Sequence, residues 1–291
     1  MFLNISQPVE CTPLALNNEG AADIDIWIAR FDLLHPEVSG NKWYKLYYFL
    51  KDAAEKNATS IVTYGGAFSN HLLATAAACC ALRIPCKGIV RGEAPEILSP
   101  ILNRCAEWGM DLEFISRESF NTIKHTFGVH SGEYHIPEGG FHLLGVQGAA
   151  RMWDAIQHLK PTHIITAVGT ATTFAGLLSV ADAYVIAVPV IKNMTDIPER
   201  LIQLNVDLNK TPFEIWSAYH LGGYAKTTPA LYEFMNTMLT IHQIPLDKVY
   251  TAKMMYAVQE RIQQGYFKKG HRLVCLHTGG LYGNLPLDRR V

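Results

Sequence analysis

The chain has 291 residues, 49% of them hydrophobic and 18% charged, so there is apolar material for a sizeable core and global disorder is excluded. The formal net charge is -1 and no basic run exceeds a few residues, which argues against nucleic acid as the main partner. No apolar segment reaches the roughly 18 residues that span a bilayer, and the start "MFLNISQPVE" has no charged region leading into a long apolar one, so neither a membrane span nor a signal peptide is expected.

At a soft prior of roughly 150 residues per domain, the length fits two domains or one large one. In chain order, helical patterns are expected at 41–56, 69–83, 97–109, 146–160, 172–182, 194–205, 227–242 and 250–267. Short apolar, β-branched strands are expected at 60–66, 86–92, 111–116, 163–169, 184–190, 213–219 and 272–280. This alternation predicts an α/β protein whose sheets are mostly parallel and flanked by helices. Ligands in such sheets bind beyond the carboxyl ends of the strands. Three of these strands run directly into small-residue turns, at Gly65-Gly66, Gly169-Thr170 and Gly279-Gly280. The Gly/Pro-rich stretch 136–148 is the best candidate for a domain crossing. Six cysteines without a C-x-x-C pair read as free thiols of a reducing cytoplasm, and the twelve histidines show no metal-ligand spacing.

Four stretches carry possible chemistry. In "SGNKWYKL", Lys42 and Lys45 share one helix face behind a Gly-Asn turn, while Trp43, Leu46, Leu50 and Ala53 mark the core face. Two solvated lysines would explain that spacing alone. In "YGGAFSNH", a strand enters Gly-Gly, and Ser69 and Asn70 stand at the head of an Ala-rich helix; free N–H groups there bind anions. In "VGTATTFAG", small and hydroxylated residues open a helix and suit a phosphate, though the stretch is neither a Walker A loop nor G-x-G-x-x-G. Finally, "LHTGG" sets Thr278 beside a permissive backbone at the end of the last strand.

Together, "SGNKWYKL", "GGAFSNH", "GTATTFAG", "LGGYAK", "LDKVYTAKM" and "HTGGLYGN" resemble, in order and spacing, the pyridoxal-phosphate (PLP) family that contains 1-aminocyclopropane-1-carboxylate deaminase and D-cysteine desulfhydrase. The resemblance covers nearly the whole chain from about residue 25. It implies the tryptophan-synthase-β-like fold (fold type II), with 1–45 plus 149–291 as a large PLP-binding domain and 46–148 as a small domain closing over the substrate. It also implies a homodimer. Lys42 would bond covalently to the cofactor aldehyde, and Lys45 would help hold the phosphate. Gly169, Thr170, Ala171, Thr172 and Thr173 would wrap that phosphate. Asn70 would bond the cofactor's 3′-oxygen, and Ser69 and His71 would take the substrate carboxylate. Tyr224 and Tyr250 match two tyrosines near the substrate.

Two positions separate the activities within that family. Deaminases that resemble this chain carry Glu after "VY" and Leu in the H-x-G-G loop, whereas Thr251 and Thr278 form the desulfhydrase-like pair. A carboxylate at the pyridine nitrogen makes a strong electron sink, which helps open an unactivated ring. A hydroxyl makes a weaker one, sufficient for a thiolate leaving group. The resemblance puts Thr278 near that nitrogen with Thr251 close by. The expected activity is therefore elimination from D-cysteine or a related D-amino acid to pyruvate, sulfide and ammonia. The alternatives are 1-aminocyclopropane-1-carboxylate deamination and, in another class, a non-catalytic phosphate- or nucleotide-binding protein. The chain departs from the family at Tyr44, where Arg is usual; the change should alter packing or a surface pair.

Overall fold

A computed structural model describes residues 4–16, 24–35, 38 and 40–284. In chain order it shows β1 (Cys11–Pro13), β2 (Asp25–Ala29), α1 (Asn41–Glu55), β3 (Ser60–Gly65), α2 (Asn70–Leu82), β4 (Cys86–Arg91), α3 (Pro100–Glu107), β5 (Met110–Ile115), α4 (Arg117–Ile123), β6 (Gly128–His130) and β7 (Glu133–Ile136). There follow α5 (Leu143–Ala150), α6 (Met152–Ile156), β8 (His163–Val168), α7 (Thr172–Val180), β9 (Tyr184–Pro189), α8 (Ile197–Gln203), β10 (Phe213–Ile215), α9 (Pro229–Thr240), α10 (Thr251–Gln263) and β11 (Arg272–Leu276).

The strands form two sheets. One has the order β1-β2-β11-β8-β9-β10, and the other β5-β4-β3-β7-β6. Pairing is parallel except at β1–β2 and β6–β7. The central strands β8, β9 and β11 are continuous apolar runs because helices cover both of their faces. The last strand, β11, lies in the middle of its sheet, between β2 and β8. All strands of the second sheet come from 60–136, and the chain then passes through Glu138–Gly140 into α5. One apolar cluster nevertheless runs through both sheets, from Ile61 and Ile136 to Ile164 and Leu276.

Small residues let α1, α5 and α7 close up under the sheet ends. A Cβ added at Gly148 of α5 would fall 2.2 Å from the Tyr44 carbonyl oxygen, and one at Gly176 of α7 would fall 2.5 Å from the Ala149 Cβ. Tyr44 is buried in this layer, edge-on to Phe31 at 5.6 Å, and its hydroxyl has no hydrogen-bond partner. Its effect is therefore on packing, not on a surface pair.

Most expected elements stand within a few residues. The exceptions have local causes. The expected helix 146–160 is broken at Arg151 into α5 and α6. The expected strand 213–219 keeps only three residues before a 3-10 turn at Ser217–His220. The expected helix 97–109 begins at Pro100, because Ser99 caps it by accepting from the Leu102 amide at 3.2 Å. Strands β1, β2, β6 and β7 and helix α4 were not expected from the pattern. All five are seven residues or shorter; β1, β6, β7 and α4 also lack an apolar run, whereas β2, "DIWIA", is apolar enough to have been seen. Among the described residues no helix is long and apolar enough to cross a membrane.

Candidate active site

The site begins at the turn before α1. Gly40 has φ +65°, and a Cβ there would lie 1.8 Å from the Thr278 carbonyl oxygen. The Lys42 turn and the His-Thr-Gly-Gly loop thus touch backbone to backbone, a contact that only glycine permits. Asn41 fixes the next step: its Nδ2 donates to Thr173 Oγ1 at 2.7 Å, and its Oδ1 accepts from Lys42 Nζ at 2.8 Å. Lys45 follows one turn later and is 2% exposed, with Nζ donating to the Gly139 carbonyl at 3.3 Å. Burial lowers the Lys42 amine to about 8, with the Asp247 carboxylate opposing. Burial and the neighbouring Lys42 push the Lys45 amine well below its ordinary value.

The second wall is the head of α2. Ser69 caps the helix by accepting from the Leu72 amide at 3.3 Å. On the first turn, the Asn70 Oδ1 is buried without a partner, and so are both ring nitrogens of His71. Burial, then Lys42 and Lys45, hold His71 well below the usual imidazole value, against a smaller contrary effect of the Pro137 carbonyl. It is therefore a neutral ring at physiological pH.

The third wall is the head of α7. Ala171, at φ +69°, is its N-cap and makes no side-chain capping bond, so the first helical amides stay open. The Thr170 and Thr172 hydroxyls lie 3.1 Å apart. A Cβ at Gly169 would meet the Tyr250 ring at 3.1 Å. Tyr250 in turn stands edge-on to Tyr224 at 6.1 Å, and the Tyr224 hydroxyl donates to the Phe68 carbonyl at 3.3 Å. Burial raises both phenols, so both keep their protons.

These walls enclose a cavity of about 720 Å³. Lys42, Lys45, Ser69, Asn70, His71, Gly169, Thr170, Ala171, Thr172, Thr173, Tyr224, Tyr250 and Thr278 all line it. Thr251 does not. It is fully buried behind the wall, where its hydroxyl donates to Asp247 Oδ1 at 2.8 Å and accepts from the Asp247 amide at 2.9 Å. Asp247 was missed by the motif reading. Its carboxylate also accepts from the amides of Val249, Tyr250 and Thr251, at 2.9, 2.9 and 2.8 Å, and so shapes the turn that carries Tyr250. An Asp ahead of a helix start was the available signal. Also missed were Gly139 and a rim of Arg91, Arg117, Asn121, Lys124 and Arg200. They sit on segments without a motif.

A family model described as "Pyridoxal-phosphate dependent enzyme" matches residues 5–279. A putative 1-aminocyclopropane-1-carboxylate deaminase of Thermotoga maritima is 31% identical over 92% of this chain and 92% of its own. A D-cysteine desulfhydrase of Salmonella typhimurium is 25% identical over 96% of this chain and 93% of its own. Among solved structures, an ACC deaminase homologue superposes with a TM-score of 0.79 at 25% identity, covering 97% of this chain and 92% of that one.

Proposed function

Because the chain belongs to the pyridoxal-phosphate-dependent enzyme family, we propose that it catalyses α,β-elimination from D-cysteine or a related D-amino acid, giving pyruvate, hydrogen sulfide and ammonia. The observation that carries this reading is the Lys42 amine. It lines the cavity, is lowered to about 8 by burial, and sits one helical turn from the buried Lys45.

The residues fit the cofactor. An aldehyde needs an amine that is partly neutral near pH 7, and Lys42 supplies it. A phosphate needs buried cationic charge and free amides, and Lys45 with the open head of α7 supplies them. The unpartnered Asn70 Oδ1 and His71 ring offer polar groups for the rest of the ligand. In this reading Lys42 holds the aldehyde carbon, Lys45 and residues 169–173 hold the phosphate, and Asn70 and Thr278 face the ring. When bound, the cofactor supplies an electron sink for the charge left at the substrate Cα.

The protein's own groups do the remaining work. Lys42, held by Asn41, takes the Cα proton. Ser69 and the neutral His71 ring orient the substrate carboxylate. Tyr250 and Tyr224 close the cavity as protonated donors beside the departing sulfur. The two-unit division, 1–45 with 149–291 against 46–148, belongs to the same reading, with the smaller unit closing over the substrate. So do a cytoplasmic setting and a homodimer. Six unpaired thiols support the first, and the exposed apolar Tyr232, Leu239 and Ile241 on and after α9 support the second. Sedimentation at micromolar concentration tests the dimer: a monomer would remove it.

The choice of D-cysteine rests on a hydroxyl, Thr278, in the cavity wall, with Thr251 behind it engaged by Asp247. Deamination of 1-aminocyclopropane-1-carboxylate is the second reading, favoured by the name of the Thermotoga relative. The test is a panel of D- and L-amino acids and the cyclopropane substrate, scored for pyruvate and 2-oxobutyrate on PLP-loaded protein. Pyruvate from D-cysteine is expected; 2-oxobutyrate alone reverses the assignment. Replacing Thr251 by Glu and Thr278 by Leu together should move preference toward the cyclopropane substrate. Protein that stays colourless with PLP would leave a non-catalytic phosphate binder as the better reading, and borohydride that fixes PLP to Lys42→Ala as fully as to the parent would defeat the role of Lys42.

A further inference from the structure

Two arginines at the cavity mouth have no work in the reading above. Arg91 ends β4, and a Cβ added at Gly66 would lie 3.3 Å from its Nη2, so its head group runs beside the Gly-Gly-Ala-Phe-Ser-Asn loop. Arg117 opens α4. The Gly92 amide donates to the Ile115 carbonyl at 2.8 Å, which ties the end of β4 to the entrance of α4, and the Arg91 guanidinium lies over the Phe120 ring at 5.6 Å. Arg117 and Asn121 are one turn apart on the same face of α4, and both line the cavity.

Charge points the same way. The cavity wall carries six Lys or Arg side chains and, among the described residues, a single acid, Glu138, in a chain whose net charge is -1. Two of the six are Lys42 and Lys45. Arg200 is bonded to Asp196 at 2.8 Å, and Lys124 donates to Asn121 at 3.1 Å. Arg91 and Arg117 have no carboxylate partner among the described residues. Arg91 runs beside the loop that carries Ser69, Arg117 lines the same cavity from the head of α4, and two guanidinium forks suit a carboxylate.

We propose that Arg91 and Arg117, with Asn121, form a subsite for a second carboxylate, carried on the β-substituent of the substrate amino acid. The inference rests on the amino-acid elimination proposed above and narrows its substrate class. The preferred substrates are D-cysteine thioethers whose sulfur bears a short acid. For S-carboxymethyl-D-cysteine, the Cα–H bond supplies the electron pair as Lys42 takes the proton, and the Cβ–S bond breaks. Sulfur leaves as the thiolate of mercaptoacetate and gains a proton. Water then converts the remaining three-carbon fragment to pyruvate and ammonia, so one water is consumed and no oxidant or reductant is needed.

The test separates binding from turnover. On PLP-loaded protein at low salt, calorimetry compares glutarate with butyrate, neither of which can react. Glutarate should bind about tenfold tighter, the gain expected of one charge-assisted contact. Arg117→Gln should bring glutarate down to butyrate and leave butyrate unmoved. Arg117 is exposed, so the variant should fold. In turnover, Arg117→Gln should raise KM for S-carboxymethyl-D-cysteine by a similar factor, with kcat and the constants for S-ethyl-D-cysteine unchanged. Equal binding of the two acids to the unsubstituted protein overturns the subsite, as does a glutarate preference that survives both Arg117→Gln and Arg91→Gln. Failure of the elimination reading looks different: no D-amino acid yields a keto acid, while the calorimetric comparison still reads the subsite.

Discussion

Replacing Lys42 by Met should stabilise the cofactor-free protein while abolishing its covalent hold on the aldehyde. The folded state lowers this amine from 10.5 to about 8, so it binds a proton less readily than the unfolded chain does. Below pH 8 that difference costs the fold about 3 kcal/mol. Met fills a similar volume without the charge, at the loss of one hydrogen bond to Asn41 worth about 1 kcal/mol. The net gain at pH 7 is then about 2 kcal/mol. It grows further to the extent that Lys45 is relieved of its charged neighbour. The sign with pH follows. The unfolded chain holds more protons between pH 8 and 10.5, so the unsubstituted protein gains stability as pH climbs through that window, and the advantage of Met closes to near zero at pH 10. Urea unfolding of PLP-free protein at pH 7 and pH 10, followed by tryptophan fluorescence, measures both numbers. A Met variant no more stable than the parent at pH 7, or a gap that does not shrink by pH 10, would refute the claim that this amine is held in an unfavourable setting.

Other perturbations test neighbouring parts. Gly40→Ala forces a Cβ to 1.8 Å from the Thr278 oxygen at φ +65°, and should cost at least about 2 kcal/mol in denaturant unfolding and impair PLP uptake; unchanged uptake would show that the two loops need not touch. Asp247→Asn turns one of two carboxylate oxygens, each accepting two hydrogen bonds, into an NH2 donor that faces donors, and should cost about 3 kcal/mol by the same assay. It also removes the charge that holds the Lys42 amine up, so the pH at which acetic anhydride labels Lys42, read by mass spectrometry, should fall. Tyr44→Phe deletes a buried hydroxyl without a partner and should stabilise by about 1 kcal/mol, whereas Tyr44→Arg should destabilise by burying an unpaired cation; a destabilised Phe variant would reveal a partner for the hydroxyl.

Much of this site was legible because its residues follow strand ends. Strands such as 60–65 and 163–168 are apolar enough to find by pattern, and the residues after them, Ser69-Asn70 and Gly169 to Thr173, inherit their positions from the fold. Asp247 was hidden because its work is done on backbone amides within four residues of itself, which leaves no spacing to recognise. Thr251 was expected near the cofactor ring; its helical register instead aims it at Asp247, one layer behind the cavity. The arginine rim was illegible for a third reason. Arg91, Arg117 and Arg200 are brought together by three-dimensional packing of separate segments, and each alone reads as a surface charge.

The position of β11 sets an order of events during synthesis. The ribosome releases β2 and β8 well before Arg272, yet they can share a sheet only once β11 arrives between them. The partner of Gly40, Thr278, is made later still. A nascent chain therefore carries a complete lysine turn but no loop for it to lean on, and two open strand edges in search of a third strand. Capture of the cofactor must wait until almost the whole described chain has emerged, and any ribosome that stalls before residue 272 leaves a product prone to pair with its neighbours.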